Sequence, residues 1–250
     1  MTDLKEFLDE KYDQYNTPQF IETDPIQIPH KFTKKEDIEI AAFLTATIAW
    51  GNRKMIIRNA DRIVNLLDNE PYNFIMNASD NEIESLANFV HRTFNIVDLH
   101  FFLKSLRNIY KKHHGLERVF SRYGGNIPKT LINFRELFFE IPFPERTSRH
   151  VSNVAKNSAA KRLNMFLMWM VRQDKRGVHF GIWNKIKPSA LFLPLDVHTG
   201  NVGRKLGLLS RKQNDWKAVA EITGRLRKFD SADPVKYDFA LFGLGVFEKF

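Results

Sequence analysis

Apolar residues recur along this chain at helical spacing and almost nowhere in the alternation of a strand. In 2–15, Leu4, Phe7 and Leu8 share a face with Lys11 and Tyr12 beside them, the pattern of a short amphipathic helix. Pro18, Pro25 and Pro29 interrupt 17–32, which reads as an extended connector. Thr33 and Glu36 have capping-box spacing, and Ile38, Ala41, Ala42, Leu44, Ile48 and Ala49 then form an apolar stripe wide enough for a central helix. That helix is expected to stop at Trp50-Gly51-Asn52.

A second helix is expected over 55–67, with Ile56, Ala60, Ile63, Val64 and Leu67 inward, followed by short ones at 71–75 and 81–89. A long helix spans 93–114, with Ile96, Leu99, Phe102, Leu103, Leu106 and Ile109 on one side and Gly115 at its end. Helices at 116–123, 128–139 and 149–157 follow, with loops at 124–126 and 141–144. Ser158 opens another, which runs into the apolar 165–171, and Pro194-Leu195-Asp196 precedes one through 199–208. No repeat appears. The expected fold class is all-α.

A length of 250 residues with 43% hydrophobic residues allows a real core, as one large or two small domains. The absence of cysteine excludes disulfides, cysteine-ligated zinc and an iron–sulfur cluster. The eight histidines show no metal spacing, and there is no His-Glu-x-x-His, P-loop or dinucleotide fingerprint, so metal, ATP and NAD chemistry are not expected. The acidic, amphipathic start is not a secretory signal, and nothing approaches the roughly 18 apolar residues of a membrane span. A soluble cytoplasmic protein, without membrane association and monomeric, is the expectation.

Charge sharpens this picture. The net charge is +9, but 146–228 holds 18 Lys+Arg against 4 Asp+Glu, or +14. The rest holds 20 basic and 25 acidic residues, or −5, so the whole excess sits in one segment. Concentrated positive charge of this kind suits a phosphate backbone; a solvated basic surface is the plainer alternative.

Three pieces of the chain then carry a family likeness. They are the apolar helix leaving through Trp50-Gly51-Asn52, the long helix ending His113-His114-Gly115, and Leu195-Asp196-Val197-His198 followed by Arg204-Lys205-Leu206-Gly207. Together they resemble the helix-hairpin-helix DNA glycosylases of the endonuclease III type, over about residues 38 to 246 and most specifically around Asp196. The run Lys161-Arg162-Leu163-Asn164-Met165-Phe166-Leu167 is also similar to an uncharacterised bacterial family distantly related to these enzymes.

The resemblance implies two helical lobes with a cleft between them. A six-helix lobe carrying the hairpin-like segment would occupy 37–180, and 1–36 with 181–250 would build the second from both termini. Lys161 and Asp196 would then face each other from opposite walls. Asp196 would be the catalytic aspartate that supports the developing oxocarbenium ion. Lys161 would be the nucleophile of a glycosylase with abasic-site lyase activity, its amine displacing the damaged base and forming a Schiff base. DNA would be double-stranded with a flipped nucleotide, at a cost of roughly a few kcal/mol.

Asn157, Ser158, Arg162, Arg204 and Lys205 would meet the DNA backbone, and Trp50 and Asn52 the flipped base. His198 reads as structural. No cofactor is implied beyond a monovalent cation at the hairpin, and the chain would be a cluster-free relative. Where the family has Leu-Pro-Gly-x-Gly, 153–160 holds no glycine, and glycine is what most freely allows positive φ.

Each residue also has a plainer role. Asp196 suits a helix N-cap, Lys161 a solvated first-turn lysine, and Trp50 a core position. Arg204 and Lys205 divide between phosphate and solvent. Three functions remain open: a DNA glycosylase excising a damaged base, a non-catalytic DNA- or RNA-binding protein on the same scaffold, and a helical adaptor for an acidic protein.

Overall fold

The structure, a computed structural model, describes residues 2–250. It is predominantly helical, 62% helix and 2% strand, as the apolar spacing predicts. In chain order the helices are α1 (Thr2–Tyr15), α2 (Gln19–Thr23), α3 (Lys35–Thr47), α4 (Arg53–Leu66), α5 (Pro71–Asn77) and α6 (Asp80–Glu84). A two-stranded hairpin, β1 (Val90–His91) and β2 (Phe94–Asn95), precedes α7 (Ile96–His113), α8 (Leu116–Ser121) and α9 (Ile127–Phe138). The last four are α10 (Lys161–Val171), α11 (Val197–Lys205), α12 (Trp216–Leu226) and α13 (Asp238–Val246). Among the described residues, no helix is long and apolar enough to cross a membrane.

Several local expectations are corrected. Residues 17–32 are not extended: α2 and 3-10 turns at Pro25–Gln27 and Pro29–Lys31 occupy them, and proline leads both turns because its fixed φ suits a first helical position. Thr33 and Glu36 do not cap α3, whose N-cap is Lys34 without a side-chain bond. The helix expected over 81–89 ends at Glu84, and the 93–114 helix begins only at Ile96, because Arg92 turns the hairpin in the left-handed region. The helix expected over 149–157 is two 3-10 turns, Glu145–His150 and Val154–Lys156. Asn157 and Ala160 then take positive φ, +64° and +49°, so α10 starts at Lys161 and not at Ser158.

The chain divides into two compact units whose boundaries differ from those the glycosylase likeness implies. The first comprises the N-terminal stretch ending at Glu22, Gly124–Pro128 and Asn153–Phe250; the second comprises Thr23–Tyr123 and Lys129–Ser152. Residues 153–180, assigned by the likeness to the six-helix lobe, therefore belong with the termini.

In the first unit, α13 packs against both α1 and α11. Leu8, Val202, Leu208, Ile222, Leu226, Leu241 and Leu244 meet in its core. Gly243 makes the approach of α1 feasible, since a Cβ there would lie 2.1 Å from the Tyr15 ring. Arg172, 1% exposed, donates to Asp233 (2.8 Å), Asp174 (2.7 Å) and the Tyr12 hydroxyl (2.8 Å), joining α1 to the later chain. Burial alone would raise the Asp174 carboxyl, but donation from Asn16, the Arg176 backbone and Arg172 holds it at about 2.

In the second unit, α3 is buried along nearly its whole length, and Phe43 meets the rings of Phe102, Phe134 and Phe138. Two buried acids sit in this apolar interior with donors supplied: Glu39 accepts from Tyr110 (2.5 Å), and Asp98 from Thr147 (2.7 Å) and the Asn95 backbone (2.9 Å). The expected core stripes of α3, α4 and α7 are in place.

Candidate functional site

Asp196 follows the buried Leu195 and takes extended backbone angles at the start of α11. Its Oδ1 accepts from the Thr199 N–H at 3.0 Å, while its own N–H donates to the Thr199 hydroxyl at 2.9 Å, a reciprocal capping box. Oδ2 is left over. It stands 4.0 Å from the Lys161 amine, the first residue of α10. The separation is that of an ion pair and longer than a hydrogen bond. Lys161 and Asp196 side chains are 30% and 22% exposed, so the pair is reachable from solvent. Both belong to the first unit, which corrects their expected placement in opposite lobes.

A lysine at the first turn opposes the helix dipole, and the N-cap of α10 offers no compensating side-chain bond. The segment leading into it is held by other means. Ser158 accepts the Ala160 N–H through its hydroxyl (3.3 Å), and its own N–H donates to the Asn153 carbonyl (3.1 Å). Ala160 holds a left-handed conformation although it carries a Cβ, at a typical cost of about 1–2 kcal/mol. Strain of this kind persists where the surroundings enforce it, and it often marks a working site. Asn164, buried one turn into α10, donates to the Ala159 carbonyl at 3.1 Å, and its Oδ1 meets no hydrogen-bond partner among the described residues.

The other expected contact residues divide sharply. Asn157 turns its amide onto Asp215 at 2.9 Å. Arg204 is occupied within the protein, donating to the carbonyls of Arg211 (2.9 Å) and Lys212 (2.7 Å) and to Asn214 Oδ1 (2.5 Å). Arg162 is half-buried, and burial pulls its guanidinium down to about 10, still protonated at neutral pH. Lys205 is exposed, its amine 5.6 Å from the Phe250 ring centre. Every cation of the +14 segment except Arg146 and Arg149 falls in this unit. His198 is exposed on α11, and its backbone and Cβ lie against Gly245 of α13.

Trp50 and Asn52 belong to the second unit. Asn52 is the N-cap of α4, accepting from the Met55 N–H at 3.2 Å. Trp50 is half-buried; its ring stacks near His150 (6.1 Å) and meets His91 edge-on (5.0 Å). His91 contacts the Trp50 carbonyl through Nε2 (3.1 Å) and Asn59 through Nδ1 (2.8 Å), which fixes its tautomer with the proton on Nε2. Burial holds His91 below its ordinary pKa.

Sequence reading missed Asn214 and Asp215. Asn214 donates to the Asp196 carbonyl at 2.9 Å. Asp215 caps α12, pairs with Arg211 and accepts from Asn157; the Arg211 contact holds its carboxyl well below the usual carboxylate range. Asp215 ahead of Trp216 is a residue type that suits a helix N-cap, but nothing local in the sequence points to these distant partners. No group of three or more His, Cys, Asp or Glu suited to a metal occurs among the described residues.

Over residues 24–247 the chain matches the family described as Protein of unknown function (DUF2400), and it belongs to that family. No curated protein and no solved structure matches it.

Proposed function

We propose that this DUF2400 protein is a DNA repair glycosylase with abasic-site lyase activity, related to the helix-hairpin-helix glycosylases. The observation that carries the reading is the approach of the Lys161 amine to the free oxygen of a capping Asp196. An amine must lose a proton before it attacks carbon, and Asp196 Oδ2 is the nearest carboxylate oxygen to receive it. The neutral amine then bonds to C1′ of the deoxyribose as the C1′–N bond to the base breaks. The base leaves with the bonding electrons and takes up a proton. Opening of the sugar ring gives the iminium from which the phosphate is eliminated. The surplus of cations in the same unit favours a polyanionic substrate.

The test is covalent trapping with borohydride on duplexes bearing an abasic site or a damaged base. Wild-type protein should form an adduct that Lys161→Ala loses and Asp196→Asn slows. Base release without an adduct, dependent on Asp196, would make the enzyme a glycosylase alone. Salt-sensitive binding with neither outcome would favour the second reading, a DNA- or RNA-binding protein without catalysis. The glycine-free approach to α10 supports that alternative, because a side chain at Ala160 and Asn157 narrows backbone access to a phosphate.

A further inference from the structure

Asn214 and Asp215 are adjacent, and each grips one of the two segments that carry the candidate pair. Asn214 donates through Nδ2 to the carbonyl of Asp196 (2.9 Å), and its Oδ1 is fixed by Arg204 (2.5 Å). Asp215 accepts from the amide of Asn157 (2.9 Å), and Trp216 N–H donates to the Asn157 carbonyl (3.1 Å), pinning the left-handed turn that delivers Lys161. A backbone bridge between Ser158 and Asp215 reinforces that side.

The helix has made room for this arrangement. A Cβ at Gly200, in the first turn of α11, would lie 2.8 Å from Asn214 Oδ1 and 3.0 Å from its Nδ2. Any other residue there would push the amide off the Asp196 carbonyl. Arg204 reaches the same amide from one turn further along α11, so the helix both opens the space and supplies the tether. None of these contacts is needed to cap α11, since Asp196 and Thr199 already satisfy each other. Asn214 therefore acts on where Asp196 stands, not on whether its helix forms.

We propose that Asn214 and Asp215 form a positioning clamp that sets the Lys161–Asp196 separation, with Gly200 as the space the clamp requires. The catalytic part of this inference rests on the lysine–aspartate reading given above; the positioning part does not. Asn214 and Asp215 touch no reacting atom and act through Asp196 and through the turn before Lys161.

The experiment measures two quantities on the full chain. The first is the rate of adduct trapping on an abasic duplex. The second is the rate of reductive methylation at Lys161 at fixed pH, read by peptide mass, with exposed Lys156 as internal reference. Asn214→Ala and Gly200→Ala, each breaking the grip on Asp196, are expected to slow trapping by roughly 10²-fold, the usual effect of about 1 Å of misplacement, with duplex affinity unchanged. They are also expected to change the methylation rate of Lys161 as Asp196→Asn does, while that of Lys156 is unchanged. Asn157→Gly, which keeps the left-handed turn and loses the bond to Asp215, should slow trapping as well.

If Asn214→Ala and Gly200→Ala leave Lys161 methylation as in wild type, the clamp is refuted. A change of equal size at Lys156 also refutes it, since that reports general loosening. Should one variant fail to fold, the other carries the test. Wild-type protein that traps no duplex would defeat the enzymatic reading, and the methylation rate would still decide the clamp.

Discussion

Asp196 uses one carboxylate oxygen to cap α11 and turns the other to within 4.0 Å of the Lys161 amine. On the proposed reading, the structural and chemical roles of Asp196 fall on separate atoms of one side chain, and two substitutions separate them. Asp196→Asn keeps an oxygen for the Thr199 N–H and should preserve thermal stability while slowing adduct trapping. Asp196→Ala should slow trapping and, in addition, lose about 1 kcal/mol of stability with the cap. Equal melting temperatures for the two variants would contradict this division.

Arg172 is buried among Asp233, Asp174 and Tyr12. Arg172→Ala strands two carboxylates, so a loss of about 3–5 kcal/mol is expected in denaturant unfolding. Arg172→Ala combined with Asp233→Asn should recover part of that loss. A loss below 1 kcal/mol in the single variant would mean that water reaches the network.

Gly243 faces the Tyr15 ring with no room for a methyl group. Gly243→Ala should cost about 1–3 kcal/mol through overpacking. Tyr15→Ala on that background should relieve the clash, so the double variant falls short of the sum of the singles. Additive losses in calorimetry would argue against direct contact.

Burial keeps His91 neutral in the fold by lowering its pKa. Below about pH 6.5 the unfolded chain takes up a proton that the folded chain resists, so stability is full above that value and declines as the pH falls. His91→Gln, which retains a donor for the Trp50 carbonyl, should flatten the melting temperature between pH 7 and 5 relative to wild type. Parallel curves would remove His91 as the cause.

The apolar stripes of α3, α4 and α7 were legible because apolar residues repeat at helical spacing in each, on one face of α4 and α7 and on every side of α3. The helix expected over 149–157 was misread because the turns there are short and the features that end them are backbone angles, left-handed at Asn157 and, a little further on, at Ala160. Alanine gives no local sign of such a conformation. Asp196 was legible as a helix start and as chemistry together. Its closeness to Lys161 within one unit was not, since that depends on the packing of α10 and α11. Asn214 escaped notice for the same reason: a polar residue in a polar run looks like a turn, and its partner lies far away in sequence.

The pairing of α1 with α13 gives the molecule a timetable. Translation releases α1 well before its partner, since the face it buries is supplied by residues 238–246. The second unit draws only on residues up to 152 and is complete much earlier on the ribosome. Of the two units, the one holding Lys161 and Asp196 is therefore the later to assemble, and nascent chains arrested before α13 should leave α1 open to protease while the second unit resists. Interrupted synthesis would then yield fragments in which Lys161 never meets Asp196 in a stable fold.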